Sequence, residues 1–339
     1  IYIMYNIIRF FLFLFDPEFA HHLAMKSLKL ANYFGLLDLI SKKIKCKPRV
    51  IMGLRFNSPV GLAAGLDKNA EYIDCLSKLG FGFIEVGTVT PRPQKGNPKP
   101  RSFRLTKEKG IINRFGFNND GIDKVIRNIQ RSKFRGILGI NIGKNFDTPI
   151  NKAINDYLIC FRKSYLFASY ITLNISSPNT KNLRKLQESE NLEKLLKEIK
   201  KEQKKLHKKY KKYVPFLLKI SPDNTNLQLT SICKLLIKYK IDGVIATNTT
   251  LSRSGVPISK KRNESGGLSG LPLKSSSLKT LKFIKSKLNG KIPIIGVGGV
   301  MSGKDGKEKI DNGADLIQIY SGLIFKGHRL VDELCRAIK

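Results

Sequence analysis

The chain has 339 residues and carries 62 Lys and Arg against 26 Asp and Glu, a net charge of +36, with 41% apolar and aromatic residues. That apolar share supports a sizeable core and excludes wholesale disorder, while the length admits either one large α/β barrel or two domains. The charge attracts anionic surfaces or phosphate-rich ligands without naming one, and the lysines are spread along the whole chain, as on solvated outer helices, rather than gathered into a nucleic-acid arm.

At the N-terminus the apolar run Phe10 to Phe15 is six residues long, against about 20 for a bilayer-spanning helix. Asp16, Pro17 and Glu18 follow and read as a helix start, with Asp16 as N-cap and Pro17 at the first helical position. The next helix carries Phe19, Leu23, Leu30, Ala31 and Phe34 with Lys26 and Lys29 between them. Two readings fit this apolar, lysine-rimmed pair of helices: an anchor lying on an anionic membrane surface, or an amphipathic hairpin packed on the domain that follows. Its two histidines, His21 and His22, lack metal-ligand spacing, and no metal site is expected.

From residue 49 short β-branched runs alternate with helical stretches, the pattern of a parallel sheet built from βα units. After a hairpin around Val50 to Phe56, eight core strands are predicted: Val60 to Ala64, Phe83 to Gly87, Leu138 to Ile142, Ile171 to Ile175, Phe216 to Ile220, Gly243 to Thr247, Ile294 to Gly298 and Leu316 to Tyr320. No comparable run is expected outside this series, and eight strands with a helix between each pair favour a closed (β/α)8 TIM barrel. Thr88 to Gly121 holds Pro91, Pro93, Pro98 and Pro100 and cannot be one helix; a long insertion on this face is a functional candidate. The helix after the fourth strand carries Leu192, Leu195, Leu196, Ile199, Leu206 and Tyr210 at helical spacing and ten lysines between Lys194 and Lys212, a packed stripe under a solvated face. The cysteines (Cys46, Cys75, Cys160, Cys233, Cys335) are odd in number and contain no CxxC pair. They suggest neither a disulfide framework nor a zinc site, and point to a reducing cytoplasm.

In a barrel the site lies at the carboxyl ends of the strands. Those ends carry Gly65, Asp67 and Lys68; Thr88; Asn141; Asn174, Ser176 and Ser177; Lys219; and Thr247, Asn248 and Thr249. Converging amides suit a planar cyclic ligand whose edge alternates N–H and C=O, and a lysine suits a carboxylate. Gly296, Gly298 and Gly299 after the seventh strand, and Ser321 and Gly322 after the eighth, lie where barrels bind phosphate through backbone N–H groups. Each residue alone has a plainer role open to it: Ser177, followed by Pro178, fits a helix-entry cap, and Lys219 fits a structural ion pair.

The stretches GLAAGLDKN (61–69), EVGTVTPRPQKGNPKPRSFRL (85–105), INRFGFNNDG (112–121), GINIGKN (139–145), LNISSPNT (173–180), DGVIATNTT (242–250), GGLSG (266–270), GVGGV (296–300) and QIYSG (318–322) together resemble the quinone-dependent, class 2 dihydroorotate dehydrogenases. The resemblance runs nearly end to end. It implies oxidation of dihydroorotate to orotate on one FMN per chain, with electrons passed to a membrane quinone, the fourth step of de novo pyrimidine synthesis. By motif it assigns Ala64, Gly65, Leu66, Asp67, Lys68, Thr88, Asn141, Asn174, Lys219, Thr247, Gly270, Gly299, Tyr320 and Ser321 to FMN. Substrate falls to Lys68, Asn113, Arg114, Phe115, Gly116, Phe117, Asn174, Asn179, Asn248 and Thr249, and Ser177 matches the catalytic base, with Thr180 and Phe117 as candidates for a supporting hydrogen-bond chain. Soluble class 1 relatives place Cys where this chain has Ser177 and lack the N-terminal hairpin.

The implied organisation is a hairpin over 1–45 for quinone access and membrane association, with His21, Arg104 and Tyr320 as quinone contacts, and an FMN barrel over 46–339. The expected partners are dihydroorotate and orotate, the quinone and an anionic membrane surface, with no specific nucleic acid, at the cytoplasmic face of the membrane. Two rivals make different predictions: another FMN barrel oxidoreductase would bind flavin without reduction by dihydroorotate, and a basic membrane- or nucleic-acid-binding protein on a degenerate barrel would hold no flavin.

Overall fold

The computed structural model describes residues 2–40 and 46–338. It opens with α1 (Tyr2–Leu14), α2 (Pro17–Tyr33) and α3 (Leu36–Ile40). Asp16 caps α2 as the sequence predicts, its carboxylate accepting from the N–H groups of Glu18 and Phe19 at 2.9 and 3.1 Å. A short antiparallel hairpin, β1 (Arg49–Ile51) and β2 (Leu54–Phe56), leads into the barrel.

The chain then runs through β3 (Val60–Leu62), α4 (Ile73–Ser77), β4 (Phe83–Val89), β5 (Ser102–Leu105), β6 (Gly110–Asn113), α5 (Ile122–Arg131), β7 (Ile137–Ile142), α6 (Ala153–Ser164), β8 (Tyr170–Asn174) and α7 (Ser189–Tyr210). It finishes through β9 (Phe216–Ile220), α8 (Asn226–Lys238), β10 (Gly243–Ala246), β11 (Gly267–Gly270), α9 (Lys274–Leu288), β12 (Ile294–Val297), α10 (Gly303–Asp311), β13 (Leu316–Ile319), α11 (Ser321–Lys326) and α12 (Arg329–Ala337). Among the described residues β3, β4, β7, β8, β9, β10, β12 and β13 are parallel and close into one barrel, β13 pairing back onto β3. These are the eight predicted segments, legible because strands covered on both faces read as continuous apolar runs.

The barrel interior is solid. Phe83, Tyr170, Leu217, Ile245, Ile295 and Leu316 fill it, and Phe56 from β2 packs with them. Gly139 on β7 makes room for Tyr170, whose ring would stand 2.2 Å from a Cβ at that position. Outside, α7 buries Leu192, Leu195, Leu196 and Ile199 on the barrel and turns its lysines to solvent.

Two expectations are corrected. Strands do occur outside the barrel series: β5, β6 and β11 form an antiparallel sheet with β6 in the centre. It was hidden because β5 alternates polar and apolar residues and β11 joins from more than 150 positions away. The cysteines also hold a disulfide, Cys46–Cys335, bridging a separation of 289 residues with Cα atoms 5.3 Å apart. Spacing along the chain carries no trace of such a pair, which exists only because α12 packs back beside the start of the barrel.

Candidate active site

A well opens at the carboxyl ends of the barrel strands. Lys219 lines it from β9, 6% exposed, and its ammonium has no hydrogen-bond or ion-pair partner among the described residues. Burial pulls the Lys219 pKa down, and the carboxylate of Glu85 opposes that shift. An ion-pair role for Lys219 is therefore not filled by direct contact, and its charge faces the well.

Beneath and beside Lys219 runs a connected set of polar side chains. Glu85, on β4 and fully buried, accepts from Asn141 Nδ2 at 2.8 Å, Tyr170 Oη at 2.9 Å and Gln318 Nε2 at 2.7 Å. The Thr88 hydroxyl donates to Asn141 Oδ1 at 2.6 Å and accepts from Asn174 Nδ2 at 2.9 Å. Asn248 Nδ2 in turn donates to Asn174 Oδ1 and to Ser176 Oγ, both at 3.1 Å.

The opposite wall comes from the insertion. Asn113 ends β6, paired with Ser102 on one side and Gly267 on the other, which carries residues 113–117 over the well. Asn179 Nδ2 donates to Asn113 Oδ1 at 3.3 Å, and Asn97 Nδ2 donates to the carbonyls of Arg114 and Asn179 at 2.8 and 3.1 Å. Phe117 sits at φ +57°, a conformation costly for a large side chain; its carbonyl is held by Asn119 Nδ2 and Gln94 Nε2 at 2.7 and 3.1 Å. Lys68 Nζ lies 4.4 Å over the Phe115 ring, and burial lowers its pKa to about 8. Arg101 stands 5.6 Å from the same ring and makes a two-pronged bond to Glu18 of α2, at 3.1 and 2.7 Å.

Most of the residues singled out by sequence come together here. Ala64, Gly65, Lys68, Thr88, Asn174, Lys219, Thr247, Gly270, Gly299, Tyr320 and Ser321 line the well, as do Asn113, Phe115, Gly116, Phe117, Asn179, Asn248, Thr249 and Ser177. Four stand aside. Leu66 and Asp67 face a polar cleft between α2 and the barrel that also includes His21 and Lys68; the Asp67 carboxylate accepts from the N–H groups of Glu71 and Tyr72 at 2.9 and 2.8 Å, and burial raises its pKa to about 6. Asn141 lies fully buried within the polar chain, and Arg114 turns to Glu264 at 2.8 Å.

Ser177 Oγ accepts from the Asn179 N–H at 3.3 Å and caps no helix, since the next helical turn starts at Leu183. The expected bonds from Ser177 to Thr180 and Phe117 are not formed; Thr180 Oγ1 is buried without a partner among the described residues. Sequence reading missed Ser269, whose hydroxyl lies 2.9 Å from that of Ser321, and Gln318 and Glu85, which look like ordinary strand residues until the register turns them inward.

The three expected quinone contacts do not share one cavity. His21 lines the cleft beside α2, where burial, then Lys68 and His22, push its pKa to about 3 and keep the ring neutral. Arg104 donates to the Phe13 carbonyl at 2.9 Å and lies 4.2 Å over the Phe13 ring, tying the end of α1 to β5. Tyr320 lines the well, its pKa raised to about 12 by burial.

A closed parallel barrel with a well of amides, hydroxyls and two lysines at its carboxyl mouth defines a TIM-barrel enzyme acting on a small polar ligand. Comparison with known proteins narrows this. The family profile described as dihydroorotate dehydrogenase matches residues 48–339. Proteins named dihydroorotate dehydrogenase (quinone) from Methylobacillus flagellatus and Acinetobacter baumannii are each 54% identical to the chain, covering 99% of it and 99% of their own length. A crystal structure of the Eimeria tenella enzyme in complex with ferulenol superposes with a TM-score of 0.87 at 37% identity, covering 95% of this chain and 90% of that one. The chain thus belongs to the dihydroorotate dehydrogenase family, in its quinone-dependent branch, and is an oxidoreductase.

Proposed function

We propose that the chain oxidises (S)-dihydroorotate to orotate with FMN as its bound cofactor, one per chain, and passes the electrons to a membrane quinone, the fourth step of de novo pyrimidine (UMP) synthesis. The observation that carries this is the convergence of Asn113, Asn174, Asn179 and Asn248 with Ser177 and Lys68 on the well that Lys219 also faces. Four amides match the alternating N–H and C=O edge of a ureide ring, and Lys68 matches its one carboxylate.

The residues present fit FMN. The N–H groups of Gly299 and Val300, which line the well, have no hydrogen-bond partner among the described residues, as a phosphate site requires. Gly299 has φ +74°, and a Cβ there would stand 2.3 Å from the Lys274 backbone, so only glycine forms this turn. FMN, when bound, supplies the two-electron acceptor. Ala64, Gly65, Lys68, Thr88, Asn174, Thr247, Gly270, Tyr320 and Ser321 would hold it, Leu66, Asp67 and Asn141 would support it from behind, and Lys219 would offset negative charge gathering on it during reduction. Arg114, Phe115, Gly116, Phe117 and Thr249 complete the substrate wall, Arg114 through its backbone.

In this reading Ser177 Oγ takes the ring proton as its own hydroxyl proton passes on to water, and the hydride lost from the neighbouring carbon, on the other face of the substrate, is taken up by the two-electron acceptor that FMN would supply there. A serine hydroxyl is a weak base, so the step depends on a dry pocket and on the orientation that the Asn179 N–H gives the oxygen.

Residues 1–45 act as the quinone entry and membrane-binding unit and 46–339 as the catalytic barrel. No helix among the described residues is long and apolar enough to cross a membrane. Phe10, Phe11, Leu14 and Phe34 are each more than half exposed on the hairpin, which supports peripheral attachment to a membrane; the reading places that attachment on an anionic surface at the cytoplasmic face and assigns no specific nucleic-acid partner. The test is to add dihydroorotate anaerobically to the purified protein and follow the visible flavin band. Bleaching is expected; a yellow protein that does not bleach has another substrate, and a colourless one that refuses FMN refutes the cofactor.

A further inference from the structure

Glu85 lies outside every motif assignment made above, yet it is a fully buried carboxylate in the barrel interior, and nothing basic touches it among the described residues. An ionised carboxylate accepts and cannot donate. That one-sidedness propagates. Asn141 must present its NH2 to Glu85, at 2.8 Å, which leaves its carbonyl toward Thr88. The Thr88 hydroxyl spends its single proton on that carbonyl, at 2.6 Å, and so can only accept from Asn174 Nδ2, at 2.9 Å. Asn174 then turns Oδ1 toward Asn248, whose NH2 donates to it at 3.1 Å. An amide is nearly symmetrical in shape. Backbone donors settle the far end of the chain, the Thr249 N–H on Asn248 Oδ1 at 2.8 Å and the Ser176 N–H on Asn174 Oδ1 at 3.4 Å, whereas the Asn141 side chain meets only Glu85 and Thr88 among the described residues.

We propose that Glu85 is a positioning residue that fixes the donor and acceptor sense of Asn141 and, through it, the direction of the Thr88 hydroxyl proton, and with them the pattern that this side of the well offers to its ligands. Its charge also acts through space on Lys219, whose ammonium has no contact partner among the described residues. The carboxylate therefore does two separable things: it orients the Asn141 amide through a bond, and it counterbalances the lysine through space. The proposal rests on the FMN and orotate reading.

Glu85→Gln tests it, because the new amide keeps the shape but removes the charge and permits Asn141 to turn either way. Orotate, the unreactive product, is titrated against the FMN-loaded protein by its perturbation of the flavin spectrum, and the flavin midpoint potential is measured on the same sample. The expected result is orotate binding weakened about tenfold with a potential shifted to more positive values, because removing a buried negative charge favours the reduced flavin. Glu85→Asp, still acceptor-only, is expected to recover most of both. A change in thermal stability alone, with orotate affinity within twofold of the parent and an unmoved potential, assigns Glu85 to packing and overturns the proposal.

If Glu85→Gln does not fold, Thr88→Val cuts the same chain further along and leaves the charge in place. It is expected to weaken orotate similarly, and unchanged affinity there overturns the proposal. A parent protein that binds neither FMN nor orotate would refute the underlying reading and the proposal with it.

Discussion

The barrel and the N-terminal hairpin handle apolar surface in opposite ways. Inside the barrel Phe83, Tyr170 and Leu217 are fully buried, and even the charged groups are enclosed by partners or by the well. On the hairpin Phe10 is 63% exposed, Leu14 68% and Phe34 65%, although Tyr5 and Arg9 of α1 are firmly bonded to α11 carbonyls. A docked helix pair that leaves its aromatic residues outward has the surface that the proposed membrane attachment calls for. Under the proposed function, the chemistry and the delivery of electrons to a lipid-soluble acceptor would then have different solvents.

The sharpest way to probe the barrel side is Ser177→Ala. It should retain FMN and slow flavin reduction by dihydroorotate by a factor of about 10² to 10⁴ at neutral pH, read by anaerobic stopped flow; near-normal reduction removes Ser177 from the step. Next in size is the packing contrast. Phe83→Ala should cost about 3–5 kcal/mol of unfolding free energy, whereas Phe10→Ser should change it by no more than about 0.5 kcal/mol, both by denaturant titration. Equal costs would erase the distinction between the two regions.

Removing residues 1–40 should lower quinone reduction several-fold more than dihydroorotate oxidation, measured as separate half-reactions, and abolish co-sedimentation with anionic vesicles. Equal loss in both half-reactions counts against a dedicated entry path. The smallest effect is a pH dependence. Burial holds Lys68 near a pKa of about 8, and only the protonated ammonium attracts a carboxylate, so orotate affinity should fall as pH rises through that value. Lys68→Ala should flatten the profile, and an unchanged slope would assign it to another group.

How much of this could be read beforehand follows from what each feature needs. The eight barrel strands need only local information, because a segment such as FIEVGTV is buried on both faces and shows it in seven residues. The strand-end asparagines are legible once the barrel is, since topology puts all carboxyl ends on one rim. The β5–β6–β11 sheet was not, because its third strand arrives late in the chain and β5 alternates polarity. Glu85 illustrates a different gap. Its type and position are visible in the motif, but whether it points inward depends on pairing with β7, where it sits opposite Gly139. Asp67 shows the converse: the motif assigns it to a cofactor, while the fold spends its carboxylate on its own loop.

The Cys46–Cys335 bond also changes the connectivity of the molecule. With it in place the catalytic barrel is a covalent macrocycle, and the N-terminal helices hang from the ring as a pendant arm. A protease that cuts any exposed barrel loop then leaves both pieces tethered covalently, whereas a cut just ahead of Cys46 leaves the ring whole and the arm held by its packing and hydrogen bonds alone. Reduction opens the ring and makes the two ends of the barrel depend on packing alone. On a denaturing, non-reducing gel the N-terminal arm and the barrel would therefore separate at a single place.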